Sequence, residues 1–137
     1  MYLVIDTWVW EKAQRAESPE ALELLAKVWR KCEHKIIYDC EGKILDEYIK
    51  HIKAMPIVFM FRIMTQTGKM VPRPIINLNL EGFDKSDMKF VQVAISTPGT
   101  IIISGDSDFL EIRKRLKEDE RLRSIKILSP AEALHIL

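Results

Sequence analysis

The chain reads as an α/β protein, with a parallel sheet covered on both faces by helices. Two observations predict this. Short, continuously apolar runs alternate with segments that carry apolar residues at helical spacing. The runs are not interrupted by polar residues, which is the pattern of strands buried on both sides.

Tyr2 to Ile5 is an apolar run closed by Asp6, a buried strand, and Thr7 can cap a helix beginning there. Ala21 to Trp29 places Leu22, Leu25, Ala26 and Trp29 at helical spacing, and Ser18-Pro19-Glu20 ahead of it reads as an N-cap with proline in the first turn. Lys35 to Tyr38 is a second strand. Lys43 to Ile52 is a helix with Ile44, Leu45, Tyr48, Ile49 and Ile52 on one face, interrupted at Pro56. Ile57 to Met64 is a helix rich in Met and Phe. A loop with Gly68, Pro72 and Pro74 leads to a third strand, Ile75 to Leu80. Asp84 to Ile95 is a helix, Pro98-Gly99 a turn, and Thr100 to Ser104 a fourth strand. Ser107 to Lys117 is a helix, Ser124 to Leu128 a last strand and Pro130 to Ile136 a last short helix. No repeat or linker divides the chain, so residues 1–137 read as a single domain.

Composition excludes several classes. A net charge of +1 argues against holding nucleic acid by bulk electrostatics alone. No apolar run approaches the ~20 residues needed to span a bilayer. The first residues, MYLVIDTWVW, lack a basic leader and a small-residue cleavage site, so no signal peptide is expected. Cys32 and Cys40 are too few for a disulfide framework and read as reduced thiols of a cytoplasmic protein. Cys32-Glu33-His34 lacks zinc-ligand spacing, and His51 and His135 have no partner spacing.

The informative stretch is IIISGDSDFL, residues 101–110, where a buried strand runs into Asp106 and Asp108. Asp6 ends another strand. In parallel sheets ligands bind beyond the carboxyl ends of the strands, so these acids belong at one end of the sheet. Stepping ~100° per residue along the helix from Asp84 places Asp87 within the cluster of Met88, Phe90, Val91, Ala94 and Ile95. A carboxylate there is costly unless it caps the helix, is paired or binds a cation. Asp46 and Glu47 flank the apolar stripe of their helix on opposite sides, and periodicity does not choose between them. Converging carboxylates repel. Either arginines pair with them, with Arg62, Arg73, Arg113 and Arg115 available, or a hard divalent cation does, since oxygen-only ligands suit Mg²⁺ or Mn²⁺. A metal-activated water attacking a phosphodiester fits such a ligand set.

Taken in order, LVIDTWVW, ILDEYI, DMKFVQVA and IIISGDSDFLEI resemble a PIN domain, the small nuclease found in prokaryotic toxin–antitoxin pairs and in RNA-processing proteins. The closing IKILSPAEAL is similar to the family's last strand and helix. The resemblance implies a three-layer α/β/α sandwich with a central parallel sheet of four to five strands. It implies a toxin-like endoribonuclease that cleaves single-stranded RNA with Mg²⁺ or Mn²⁺. It assigns Asp6, Glu47, Asp87 and Asp106 as catalytic metal ligands with Asp108 as accessory acid, which chooses Glu47 over Asp46. Ser104 and Thr7 become supporting hydroxyls and Asp84 a reserve acid. The Met-rich stretch MPIVFMFRIM, if it is a protein-binding surface, would serve a homodimer or an antitoxin-like protein partner. The alternative is a catalytically inactive PIN scaffold that binds RNA or protein.

The sequence departs from the family pattern at Trp8, where a small or polar residue is usual. That indole either narrows the site and stacks on a base, or is a core residue at a helix start. It also argues against a phosphatase of the haloacid-dehalogenase type, which needs Asp at that position. MPIVFMFRIM is either core or a protein-binding surface. Arg113, Lys114 and Arg115, just after the acid pair, are candidates to hold RNA phosphates, although interleaved acids also suit a self-paired solvated helix.

Overall fold

The computed structural model describes residues 1–137. Five strands form one sheet: β1 (Tyr2–Ile5), β2 (Lys35–Asp39), β3 (Met70–Arg73), β4 (Ile101–Ile103) and β5 (Lys126–Leu128). Their order across the sheet is β3-β2-β1-β4-β5 and every pairing is parallel. Seven helices accompany them: α1 (Thr7–Gln14), α2 (Pro19–Arg30), α3 (Lys43–His51), α4 (Met55–Gln66), α5 (Lys85–Ile95), α6 (Ser107–Arg115) and α7 (Pro130–Leu134). The chain moves outward from β1 to β2 to β3, then returns through α5 to β4 and on to β5. Right-handed crossovers therefore put α1 to α4 on one face and α5 and α6 on the other. Accordingly α1 packs on α2, α3 and α4, and α2 on α7, whereas α5 lies across β2, β1 and β4 and α6 lies on β5. This is a three-layer α/β/α sandwich.

The central strands are buried on both sides, as their unbroken apolar runs require: Leu3, Val4, Ile5, Ile36, Ile37, Ile102 and Ile103 are all inaccessible to solvent. Helix α2 starts where the sequence places it, with the Ser18 hydroxyl accepting from the Ala21 amide and Pro19 in the first turn. Its buried stripe is Ala21, Leu24, Leu25 and Val28; Leu22 and Trp29 face outward.

Two expectations fail. The third strand is Met70–Arg73, within the stretch read as a loop, and Ile75 to Leu80 is not a strand. β3 pairs only with β2 and is an outer strand, where a proline such as Pro72 costs no ladder bond. The Ile75–Leu80 segment instead fastens onto α5. The Ile76 amide donates to the Gln92 carbonyl at 3.1 Å, the Gln92 side-chain amide donates to the Leu78 carbonyl at 3.0 Å, and Leu78 and Leu80 are buried. Thr7 also does not cap α1. It is the first helical residue, and Asp6 occupies the cap position without a side-chain capping bond.

Helix α3 has an unusual start. Its N-cap is Gly42 in the left-handed region (φ +83°), which has no side chain to cap with. Asp39, at the end of β2 and 1% exposed, takes over: its two oxygens accept from the Lys43 amide at 3.0 Å and the Ile44 amide at 2.8 Å. A strand-ending carboxylate is here wholly occupied in holding a helix. Asp39→Ala should lower stability by about 1–3 kcal/mol, the cost of a lost cap plus buried unsatisfied amides. Urea unfolding measures this; an unshifted midpoint would mean that α3 does not depend on Asp39.

Candidate active site

The strand order reverses between β1 and β4, which pair through Leu3–Ile101, Val4–Ile102 and Ile5–Ile103. Such a switch point opens a crevice at the carboxyl ends of the strands. Asp6 leaves β1 there and Asp106 follows β4. The backbone continues the pairing for one more residue, the Asp6 amide donating to the Ile103 carbonyl at 3.0 Å. Ser104 then ties the two ends together. Its hydroxyl donates to Asp6 Oδ2 at 2.7 Å and accepts from the Asp106 amide at 3.0 Å.

Asp6 is 4% exposed. Burial is the main reason that its proton affinity rises, to a pKa of about 7; the Ser104 hydrogen bond opposes this, and the charges of Asp87, Asp106 and Glu47 add to it. Asp87, on the first turn of α5, is also held high, at about 6, first by burial and then by Asp84, Asp106 and Glu47; Lys89 partly offsets them. The capping role in α5 falls to Asp84, whose carboxylate accepts from the Ser86 amide and hydroxyl at 2.9 Å each, and these bonds hold its pKa low. Asp87 accepts no hydrogen bond in the structure and is not the cap.

Glu47 is half-buried while Asp46 is exposed, so the helix turns Glu47 toward the crevice. Tyr48 sets this orientation. It is fully buried among Trp10, Phe61 and Phe90, with ring centroids 5.6, 6.0 and 6.5 Å away, and its hydroxyl donates to the carbonyl of Ile5 at the end of β1. Glu47, one residue earlier, then accepts from the Thr7 hydroxyl. Its other oxygen lies 2.7 Å from Lys89 Nζ, in an ion pair shielded on both sides. Lys89 also donates to the Ser86 carbonyl.

Asp6, Glu47, Asp87 and Asp106 thus share one electrostatic site, in which the repulsion felt by Asp6 comes from the other three. No three of these four bring carboxylate oxygens within 4.8 Å of one another; the group that does is Asp84, Asp87 and Asp108, and this triad could hold a metal ion. Asp87 belongs to both sets. Asp106 carries a second duty as the N-cap of α6, accepting from the Asp108 amide at 2.9 Å. An all-oxygen donor set fits a hard divalent cation.

The arginines do not neutralise the site. Arg113 pairs with Glu132 at 2.7 Å, Arg115 donates to the Glu81 carbonyl, Arg73 donates to the Pro72 carbonyl and the Tyr2 hydroxyl, and Arg62 has no acidic partner. Lys114 pairs with Glu111 at 3.0 Å. Within α6 only Lys114 pairs with a residue of its own helix; Arg113 and Arg115 reach neighbouring segments, and Asp119 and Glu120 pair with Arg121 and Arg123 beyond the helix. The cation at the site is Lys89, which sequence reasoning missed. Its partner lies 42 residues away on another helix, and nothing local marks it.

Trp8 is neither core nor free. It is half-buried, and its indole lies flat on Gly105, between the two strand-ending acids. A Cβ at Gly105 would come within 2.3–2.6 Å of the ring. The fully buried tryptophan is Trp10. Cys32 and Cys40 are both free and exposed, and His51 pairs with Glu11 at 2.6 Å.

No family model, curated protein or solved structure matches the chain. The likeness to PIN domains therefore rests on the motifs and their order.

The two raised carboxyls have a consequence for stability. Asp6 and Asp87 bind protons more tightly folded than unfolded, where their ordinary value is 3.8. The stability they contribute is complete below pH 3.8 and is lost as pH rises through about 6 and 7. In chelator the melting temperature should fall across that window. Asp87→Asn removes charge but no hydrogen bond, so it should flatten the fall and stabilise the chelated protein at pH 7.5 by on the order of 1 kcal/mol. Mn²⁺ should stabilise wild type more than the variant. Thermal unfolding at several pH values checks this; a destabilised variant with an equal Mn²⁺ response would mean that Asp87 is a structural acid.

Proposed function

We propose that this chain is a PIN-type, metal-dependent endoribonuclease that hydrolyses phosphodiester bonds of single-stranded RNA, toxin-like in its organisation. The observation that carries the reading is the convergence of Asp6, Glu47, Asp87 and Asp106, delivered by four separate elements to the switch point with one lysine among them. Mutually repelling, partly dehydrated carboxylates are costly unless they take up protons, as the raised Asp6 and Asp87 do, or share a cation. Mg²⁺ or Mn²⁺ is the compensating charge proposed, with Asp6, Glu47, Asp87 and Asp106 as its ligands and Asp84 and Asp108 beside Asp87. When bound, the cation supplies a Lewis acid for the phosphoryl oxygen and acidifies water.

The chain's own residues have assigned parts. Ser104 orients Asp6 and fixes the backbone of Asp106. Thr7 orients Glu47. The Trp8 indole covers Gly105 beside the end of β4, with Lys12 Nζ over its ring at 5.8 Å. Lys89 balances Glu47 until a stronger cation arrives.

Asp106→Asn is the direct test. Asn caps helices as well as Asp does, so α6 should persist and the circular dichroism spectrum should not change. Cleavage of labelled RNA in Mn²⁺ should fall at least about 100-fold, to the level seen in chelator, because an amide is a poor ligand for a hard cation. Undiminished cleavage would remove Asp106 from the site, and no cleavage by wild type in Mn²⁺ would favour the scaffold reading.

A protein partner is also proposed, either a second copy or an antitoxin-like chain. It rests on apolar exposure of α3 and α4: Met55, Phe59 and Ile63 form a stripe on α4 exposed by 39–58%, and Ile49 of α3, 60% exposed, lines a cavity of about 500 Å³ with Val58 and Phe61. Met60 and Met64 of the same helix point into the core. Phe59→Lys should abolish association without lowering the melting temperature, as read by sedimentation of the pure protein and by co-purification. A monomer at high concentration with no co-purifying chain would leave this face without a role in assembly.

A further inference from the structure

A second feature lies on the α5 side of the acids. Between α3 and α5, closed from below by the Ile75–Leu80 segment, runs a cleft of about 460 Å³. Lys43, Lys85 and Lys89 line it, with Asn79 as a neutral polar group and Ile75 and Met88 as an apolar floor. Its one carboxylate is Asp39, whose oxygens are taken up by the Lys43 and Ile44 amides. Glu41 approaches Lys43 at 3.2 Å, but both side chains are more than half exposed, so the pair is screened and weak. The cleft is therefore basic, while the crevice it adjoins is acidic. Lys89 belongs to both: it lines the cleft and touches Glu47.

We propose that this cleft is the track for the phosphate backbone of single-stranded RNA, leading the strand past Lys43 and Lys85 to Lys89 and the acids. The inference rests on the nuclease reading and says where its substrate lies. Lys43 on the α3 wall and Lys85 and Lys89 on the α5 wall flank a path for successive phosphates. An apolar floor receives sugars and base faces, and a neutral amide meets base edges without repelling the strand. The cleft also meets a need that the acids create, since a polyanion approaching a carboxylate cluster must be held by cations placed beside it. Arg113 of α6 is drawn toward Glu132 at 2.7 Å, and Lys114, paired only weakly with Glu111 through exposed side chains, lies outside the lining of the cleft. The track is accordingly assigned to the cleft between α3 and α5.

The test is binding of a fluorescein-labelled 20-nucleotide RNA to the full chain in chelator, which suppresses cleavage, across a salt series. Lys43 and Lys85 are exposed and hold nothing in the core, so the double variant Lys43→Glu/Lys85→Glu should keep its melting temperature. Its RNA affinity should fall at least about 10-fold, and its dependence of log affinity on log salt should become shallower by about 1.4, the loss of two single-strand phosphate contacts. Lys43→Gln/Lys85→Gln should show a smaller loss in the same direction. Lys114→Glu should bind as wild type does. Wild-type binding with an unaltered double variant would overturn the track and leave the nuclease reading standing, as would a loss confined to Lys114→Glu. Competition by polyglutamate as strong as by unlabelled RNA would also overturn it, in favour of an acidic protein. A wild-type chain that binds no RNA at any salt would sink both readings.

Discussion

Three cross-strand pairs, Leu3 with Ile101, Val4 with Ile102 and Ile5 with Ile103, hold β1 and β4 level with one another, and both strands stop at the same height. The strand order reverses at this seam. Helices leave it toward opposite faces of the sheet, so no backbone fills the space above, and the residues just past the strand ends are brought together. A slip of one residue would turn Asp6 to the other side of the sheet and break its hydrogen bond with Ser104. The register in turn depends on side chains that are inaccessible on both faces, so the placement of the acids at the crevice is secured by packing beneath it.

The carboxylates above the seam divide their labour. Asp39, Asp84 and Asp106 each satisfy backbone amides at the start of a helix, and they keep α3, α5 and α6 in place. Asp6 and Asp87 do not cap, and they are the two whose proton affinity is driven up. Helix capping and ligand chemistry use the same residue type. The difference between them is whether the oxygens are already accepting from amides. Asp106 stands between the groups: it caps α6 and also repels Asp6 and Asp87.

Much of this architecture is legible in the sequence alone. The continuous apolar runs identify four of the five strands, because burial on both faces leaves no polar positions to confuse the pattern. Serine and proline mark the start of α2 for a local reason, and local reasons are what a sequence displays. The errors have non-local causes. Ile75–Leu80 has the composition of a strand, but it lost the outer position in the sheet to Met70–Arg73 and bound to α5 instead. The exposure of Asp46 and the inward turn of Glu47 depend on where Tyr48 is gripped by Trp10, Phe61 and Phe90. Lys89 and the cleft lysines are invisible in the sequence because their meaning lies in what two helices place opposite each other. The basic run on α6 is conspicuous in the sequence and is largely spent on its neighbours.

The contact between Trp8 and Gly105 has a different kind of consequence. A ring lying on bare backbone makes the two positions a single heritable unit. Any side chain at 105 must displace the indole, and a small residue at 8 removes the reason for glycine. Lineages descending from this fold can therefore change position 105 once position 8 has lost its indole, but the reverse order meets the ring. Among related chains, these two positions should vary together, though far apart in the sequence, as a trace of one van der Waals surface.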